Sequence, residues 1–170
     1  SQDHEIGGFV IEREATKTVL ALLAEEEDLV VVVAGEAGAG KSGVLAQVVR
    51  SLQEHGVMVA AVRADRLPET VSNGVTIGQA KGLPGSPISL LAAARGGKPA
   101  VLVVDQRDAV SVMSGRSPLM LEAVASLVAE ARVHPQARLV LGCREYDLQH
   151  DRRLALLIEE KYRRVVRVAR

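Results

Sequence analysis

The chain has 170 residues, 48% of them apolar but only 2% aromatic, so its length suits one domain (1–170) with an aliphatic core of Val, Leu and Ala. Its 21 basic and 21 acidic residues cancel to a formal net charge of zero, which removes a global basic field as a reason to expect nucleic acid or an anionic membrane as partner. The single cysteine, Cys143, excludes an intramolecular disulfide framework, no apolar run approaches the ~20 residues that span a bilayer, and Ser1-Gln2-Asp3-His4-Glu5 has no leader pattern; the expectation is a soluble, cytoplasmic domain.

Residues 1–14 read as a flexible N-terminal segment, polar and glycine-containing at first, with an apolar patch of Phe9, Val10 and Ile11 before Glu12-Arg13-Glu14. The spacing of Val19, Leu20 and Leu23 predicts a helix over 15–26, whose acidic end (Glu25, Glu26, Glu27, Asp28) reads as a solvated face that opposes the helix dipole. The β-branched run 29–34 predicts the first core strand, and Val44, Leu45, Val48, Val49 and Leu52 predict a helix over 41–54, stopped at Gly56.

Between that strand and that helix lies Gly35-Glu36-Ala37-Gly38-Ala39-Gly40-Lys41-Ser42, which fits G-x-x-x-x-G-K-[ST], the phosphate-binding (Walker A) loop. Glycines let the backbone turn its amides inward at a helix N-terminus, where unpaired donors and the helix dipole favour an anion. Nucleotide binding is therefore expected at Gly35, Glu36, Ala37, Gly38, Ala39, Gly40, Lys41, Ser42 and Gly43, with Lys41 on the β- and γ-phosphates and the Ser42 hydroxyl on Mg²⁺. The bland alternative is a glycine-rich turn without a ligand, which the flanking strand and helix disfavour.

Further along, 57–62 predicts a second strand ending in Arg63-Ala64-Asp65-Arg66. Residues 67–87, punctuated by Gly and Pro, read mostly as loop with one short helical turn, and 88–95 as a short helix closed by Gly96-Gly97. A third strand, 100–104, ends at Asp105; a loop through Ser114-Pro118 leads to an amphipathic helix carrying Met120, Val124, Leu127, Val128 and Ala131. Pro135 precedes a fourth strand, 138–142, which exits through Cys143-Arg144-Glu145; a helix over 152–162 and a fifth strand over 165–169 complete the chain.

Strands alternating with helices imply a parallel sheet with helices on both faces, and ligands in such sheets sit beyond the carboxyl ends of the strands. The phosphate loop, Asp65, Asp105 and Arg144 all fall at that edge. Four apolar residues ending in Asp105 have the form of a Walker B strand, whose carboxylate faces the metal. Hydrolysis also needs a group that orients or deprotonates water; Gln106 can orient it but is a poor base, and Asp108 is the other candidate, with a turn-capping role as its alternative.

On these residues the chain resembles the nucleotide-binding domain of STAND-type signalling ATPases, the NACHT-like and AAA-related group. Phe9-Val10-Ile11-Glu12-Arg13-Glu14 stands where that family has an apolar patch before Gly-Arg-Glu, with Glu12 in the glycine place. The resemblance implies that residues near Val10 and Ile11 fold over the adenine. Asp105 and Asp108 match the family's paired Walker B aspartates, while Gln106 and Arg107 depart from its small and apolar positions, which bears on hydrolysis more than on binding. Arg144 matches the basic sensor at the end of strand four, which would contact the γ-phosphate; its alternative is a surface arginine paired with Glu145. The expected architecture is a three-layer α/β/α P-loop NTPase fold with a five-stranded, mainly parallel sheet in the order 5-1-4-3-2. Relatives continue past strand five into a helical lid, so further domains or protein partners and slow isolated turnover of ATP to ADP are expected.

Three function classes are open: a regulatory ATPase, a small-molecule or nucleotide kinase with Asp65 as acceptor base, and a nucleotide-binding scaffold. A switch GTPase is disfavoured, because the only asparagine, Asn73, is followed by Gly74 and leaves no Asn-Lys-x-Asp. His4, His55, His134 and His150 lack ligand spacing, so no zinc site is expected. Cys143 reads as a small buried residue, and the basic set Lys161, Arg163, Arg164, Arg167 and Arg170 as a solvated or partner-facing surface rather than a polynucleotide contact. Arg152 and Arg153 are candidates for acting in trans within an oligomer.

Overall fold

Three stretches of the chain are almost unbroken aliphatic sequence ending in a small or charged residue, and they form the three central strands of one parallel sheet. The computed structural model describes residues 5–6, 9–10, 13–25, 30–36, 40–95, 98–106, 118–150, 152 and 163–168. In chain order the elements are β1 (Glu5–Ile6), β2 (Phe9–Val10), α1 (Glu14–Ala24), β3 (Val30–Gly35), α2 (Lys41–Glu54), β4 (Met58–Arg63), a 3-10 turn at Ala64–Arg66, α3 (Gly74–Ala80), α4 (Pro87–Arg95), β5 (Ala100–Asp105), α5 (Pro118–Val133), β6 (Ala137–Arg144), α6 (Glu145–His150) and β7 (Arg163–Val168).

The five-stranded sheet runs β4-β5-β6-β3-β7 with every pair parallel. Numbered along the chain, its core strands lie 2-3-4-1-5, the 5-1-4-3-2 arrangement read from the opposite edge. Period-two alternation divides the core between two helical layers. Val31, Val33, Val101, Val103 and Val140 pack with α1 and α2 on one face. Val32, Ala34, Leu102, Val104, Leu139 and Leu141 pack with α3, α4 and α5 on the other. Each fully buried Val or Leu contributes roughly 1.5–3 kcal/mol of transfer free energy, so the two layers together clamp the sheet and hold its carboxyl edge in place. The edge strand β7 instead alternates, with Arg164 and Arg167 exposed and Val166 and Val168 buried, which blunts it against pairing with another chain.

Several elements differ from the sequence expectation. Residues 5–6 and 9–10, inside the segment expected to be flexible, pair as a short antiparallel ladder with Glu5 opposite Val10 and Ile6 opposite Phe9. Helix α1 stops at Ala24, short of the acidic run, as the dipole argument favours. Strand β6 continues to Arg144, and α6 follows it directly; all of the expected helix over 152–162 except Arg152 lies outside the described residues, as do 107–117.

The largest difference is α3, in a stretch read mostly as loop. Two glycines in Gly74–Ala80 hide its periodicity, and its stability comes from elsewhere. Asn73 caps it: the Thr76 amide donates to Asn73 Oδ1 at 2.9 Å, and the Asn73 amide donates to Thr76 Oγ1 at 3.0 Å. The Gly74 amide donates to Ser126 Oγ of α5 at 3.1 Å, and Ile77 is buried in the core below. Asn73→Ala is expected to cost about 1 kcal/mol and to speed hydrogen exchange in α3 first, whereas Asn73→Asp keeps the cap. Urea denaturation with exchange read at the Ile77 and Gly78 amides checks this; an unchanged α3 in the alanine variant would show that packing alone holds it.

Candidate functional site

The site is built where β3 gives way to α2. Val30 to Ala34 are buried on both sides, so the strand is rigid up to Gly35, which lies level with Arg144 of β6 and Val168 of β7. Gly40 then turns the chain into α2 with φ +91°, a left-handed conformation that side chains rarely adopt. It is the N-cap of α2 and, having no side chain, provides no side-chain cap. Lys41, the first helical residue, is 8% exposed, and Gly43 is half-buried one turn-step on. Glu36 is exposed; Ala37, Gly38 and Ala39 lie outside the described residues.

The opposing wall comes from β5. Asp105, buried at the end of that strand, accepts a hydrogen bond of 2.8 Å from the Ser42 hydroxyl to its Oδ2. Gly142 of β6 lies level with Asp105, and a methyl group there would press on Leu45 Cδ1 of α2 at 2.6 Å and stand 3.5 Å from Asp105 Oδ1. A side chain there would make the tip of Leu45 move aside, while Asp105 would be in ordinary contact. The amide of Gln106 donates to the Gly142 carbonyl at 3.0 Å, and its side chain is 1% exposed. Among the described residues neither its amide oxygen nor its amide nitrogen has a partner. A buried, unpaired amide next to a carboxylate costs about 1–3 kcal/mol unless something polar reaches it.

Arg144 ends β6 beside Gly35, with its Nε 3.5 Å from Asp147 Oδ2 in the first turn of α6. Glu145, the alternative partner in the sequence reading, instead takes Arg167 at 3.0 Å and Gln149 at 3.0 Å. Asp65 has both oxygens on one guanidinium, receiving Arg63 Nε at 3.2 Å and Arg63 Nη2 at 2.7 Å. Val10 belongs to β2, while Ile11, Arg107, Asp108 and Arg153 lie outside the described residues, and Arg152 is exposed. The structure thus brings together Gly35, Gly40, Lys41, Ser42, Asp105, Gln106 and Arg144 at one sheet edge.

One part of the site escapes the sequence reading. Arg13, at the N-cap of α1, donates from Nη1 to the Gly40 carbonyl at 2.9 Å, and a side chain at Gly40 would collide with that guanidinium. The Arg13 amide and the Thr16 hydroxyl both donate to Gln47 Oε1, at 3.2 and 2.7 Å. The available signal was Gln47 itself, a polar residue on the buried stripe of α2 between Val44 and Val48. Among the described residues no group of three or more His, Cys, Asp and Glu could hold a metal, so a cation here would depend on Ser42, Asp105 and a ligand's own oxygens.

Cys143 sits behind the site at the end of β6, and burial pushes its thiol from the ordinary 9.0 up to about 12. Because the fold favours the neutral thiol, its contribution to stability is complete below pH 9.0 and is lost as pH rises toward about 12. Native protein is therefore expected to resist iodoacetamide at pH 8 while urea-unfolded protein reacts fully; stoichiometric labelling of the native chain would contradict the burial.

No protein-family model matches this chain, and no curated protein matches its sequence. Solved structures do match. A Walker-type ATPase, PABY2304 of Pyrococcus abyssi, aligns with a TM-score of 0.60 at 12% identity over 94% of this chain and 54% of its own. A DNA replication initiation factor aligns at 0.55 and 17% identity over 92% of this chain and 44% of its own. The replication initiator DnaA, bound to AMPPCP and single-stranded DNA, aligns at 0.54 and 15% identity over 91% and 44%. The chain spans about half the length of these structures. At such identities the likeness shows the fold: a three-layer α/β/α P-loop architecture with a five-stranded parallel sheet.

Proposed function

We propose that this chain is a Mg-ATP-binding P-loop ATPase module of the STAND-like, AAA-related kind, one that hydrolyses ATP slowly and switches a larger protein. The observation that carries this reading is the junction of left-handed Gly40, buried Lys41 and the 2.8 Å contact from Ser42 to Asp105. A helix N-terminus and an ammonium together favour a polyphosphate. Ser42 and Asp105 are hard oxygen donors of the kind Mg²⁺ takes alongside phosphate oxygens. When bound, the metal would neutralise charge on those oxygens. Adenine as the base is supported by the AMPPCP bound to the DnaA structure. The single-stranded DNA of one neighbour is not carried over, since the formal net charge here is zero.

In this reading Lys41 anchors the terminal phosphates, Arg144 senses the γ-phosphate, and Gln106 or Asp108 orients water. Gln106 cannot accept a proton, which favours a state that holds ATP over one that turns it over quickly. A kinase is the second reading, and the pairing of Asp65 with Arg63 counts against it.

Calorimetric titration with Mg-ATP tests binding: Lys41→Ala is expected to weaken it by about 100-fold, the loss of one charge-assisted anchor. Asp105→Asn is expected to weaken binding in Mg²⁺ more than in EDTA. A Lys41→Ala isotherm identical to wild type would remove the phosphate-loop assignment.

For turnover, Gln106→Glu is expected to raise phosphate release by about 100-fold, because a buried carboxylate has its pKa raised toward the operating pH and can take the proton. Unchanged turnover in Gln106→Glu, together with its loss in Asp108→Ala, would transfer the role to Asp108.

A further inference from the structure

A cavity of about 370 Å³ opens beside the phosphate loop on the α2 side of the sheet. Helix α2 roofs it, and β4 and β5 form its floor. Ser42 and buried Asp105 close one end; Arg63, Arg66 and Lys81 line the rest of the rim, and the middle is apolar, with Leu45 of α2 above.

The charges on that rim do not cancel. Arg63 is offset by Asp65, whose two contacts also fix the direction of its guanidinium. Arg66 and Lys81 are both exposed, and neither side chain makes a hydrogen bond or ion pair with another described residue. Lys81 is delivered by the C-cap of α3, so the capped helix that sequence periodicity does not reveal is what brings the second cation to the rim. Two uncompensated like charges at one opening repel each other and concentrate anions. A phosphomonoester carries about −1.5 to −2 at neutral pH, which matches that pair. The volume lies at the lower end of small-molecule pockets, roughly 300–1,000 Å³, and an apolar middle suits a short carbon body.

We propose that this cavity binds a small phosphomonoester, its phosphate on Arg63, Arg66 and Lys81 and its other end toward Ser42 and Asp105. This goes beyond the nucleotide reading and does not require it. A polynucleotide is less favoured, because no aromatic side chain lines the cavity to stack a base.

The test is calorimetry with glycerol 3-phosphate, inorganic phosphate, glycerol and a single-stranded oligonucleotide, each titrated into the whole chain. Wild type is expected to bind glycerol 3-phosphate and not glycerol. Arg66→Glu combined with Lys81→Glu is expected to weaken that binding by about tenfold or more while leaving Mg-ATP binding unchanged. Lys41→Ala is expected to do the reverse, so failure of the nucleotide reading and failure of this one are told apart. Circular dichroism and thermal melting check folding, and the milder Arg66→Gln with Lys81→Gln pair should shift affinity in the same direction. Equal affinity in the charge-reversed variant, loss only in Lys41→Ala, or no heat in wild type would overturn the proposal. So would inorganic phosphate binding as tightly as the ester, which points to free phosphate, or a preference for the oligonucleotide.

Discussion

The contact between the Ser42 hydroxyl and the Asp105 carboxylate joins residues 63 positions apart, and several independent features must hold for it to form. Gly40 must turn through a conformation closed to most side chains, so that α2 starts in the right direction. Strand β6 must lie between β3 and β5, and the glycine it carries beside Asp105 leaves Leu45 of α2 its place. A carboxylate buried without such a donor would pay for its lost hydration, and a hydrogen bond to a charged group typically returns about 1.5–3 kcal/mol. The same two oxygens therefore serve the stability of the fold and the chemistry assigned to its edge. Few substitutions at either position can affect one without the other.

The rest of the architecture divides into parts that hold this edge still and parts that are free to carry chemistry. Aliphatic side chains fill both faces of β3 and β5 and most of β6, where Arg138 near the start of the strand is the buried exception. Polarity is released at the carboxyl end of the sheet, where Arg63 lies opposite Asp105 and Asp105 opposite Gly142, with Gly35 opposite Arg144 two residues further on. Concentration of charge at one edge follows from parallel topology, which aligns all the carboxyl ends.

The sheet is readable from sequence because its central strands are buried on both faces and so appear as continuous Val- and Leu-rich runs. The order of strands is readable because the loop motif after the first strand and the carboxylate after the third belong to one architecture. Helix α3 is not readable, since its stability lies in a capping box, a hydrogen bond to Ser126 and burial of Ile77, none of which leaves a periodic trace in a segment with two glycines. The partnership of Asp65 is equally invisible: Arg63, Asp65 and Arg66 are all plausible surface charges, and only the 3-10 turn at Ala64–Arg66 decides that Asp65 folds back on Arg63. Arg13 stands out in sequence only as part of a family-like segment, because its contact with Gly40 spans 27 residues.

That contact links the start of α1 to the loop mechanically. Arg13 grips the Gly40 carbonyl while Arg13 and Thr16 grip Gln47, so the first turn of α1 is stitched to the first two turns of α2 at three points. Tension applied to the chain ahead of Arg13 would be felt first at the residue whose backbone sets the entry to α2. By thermodynamic reciprocity, anything that stiffens that entry also makes α1 harder to peel away. The N-cap of α1 and the glycine that starts α2 thus move as one piece.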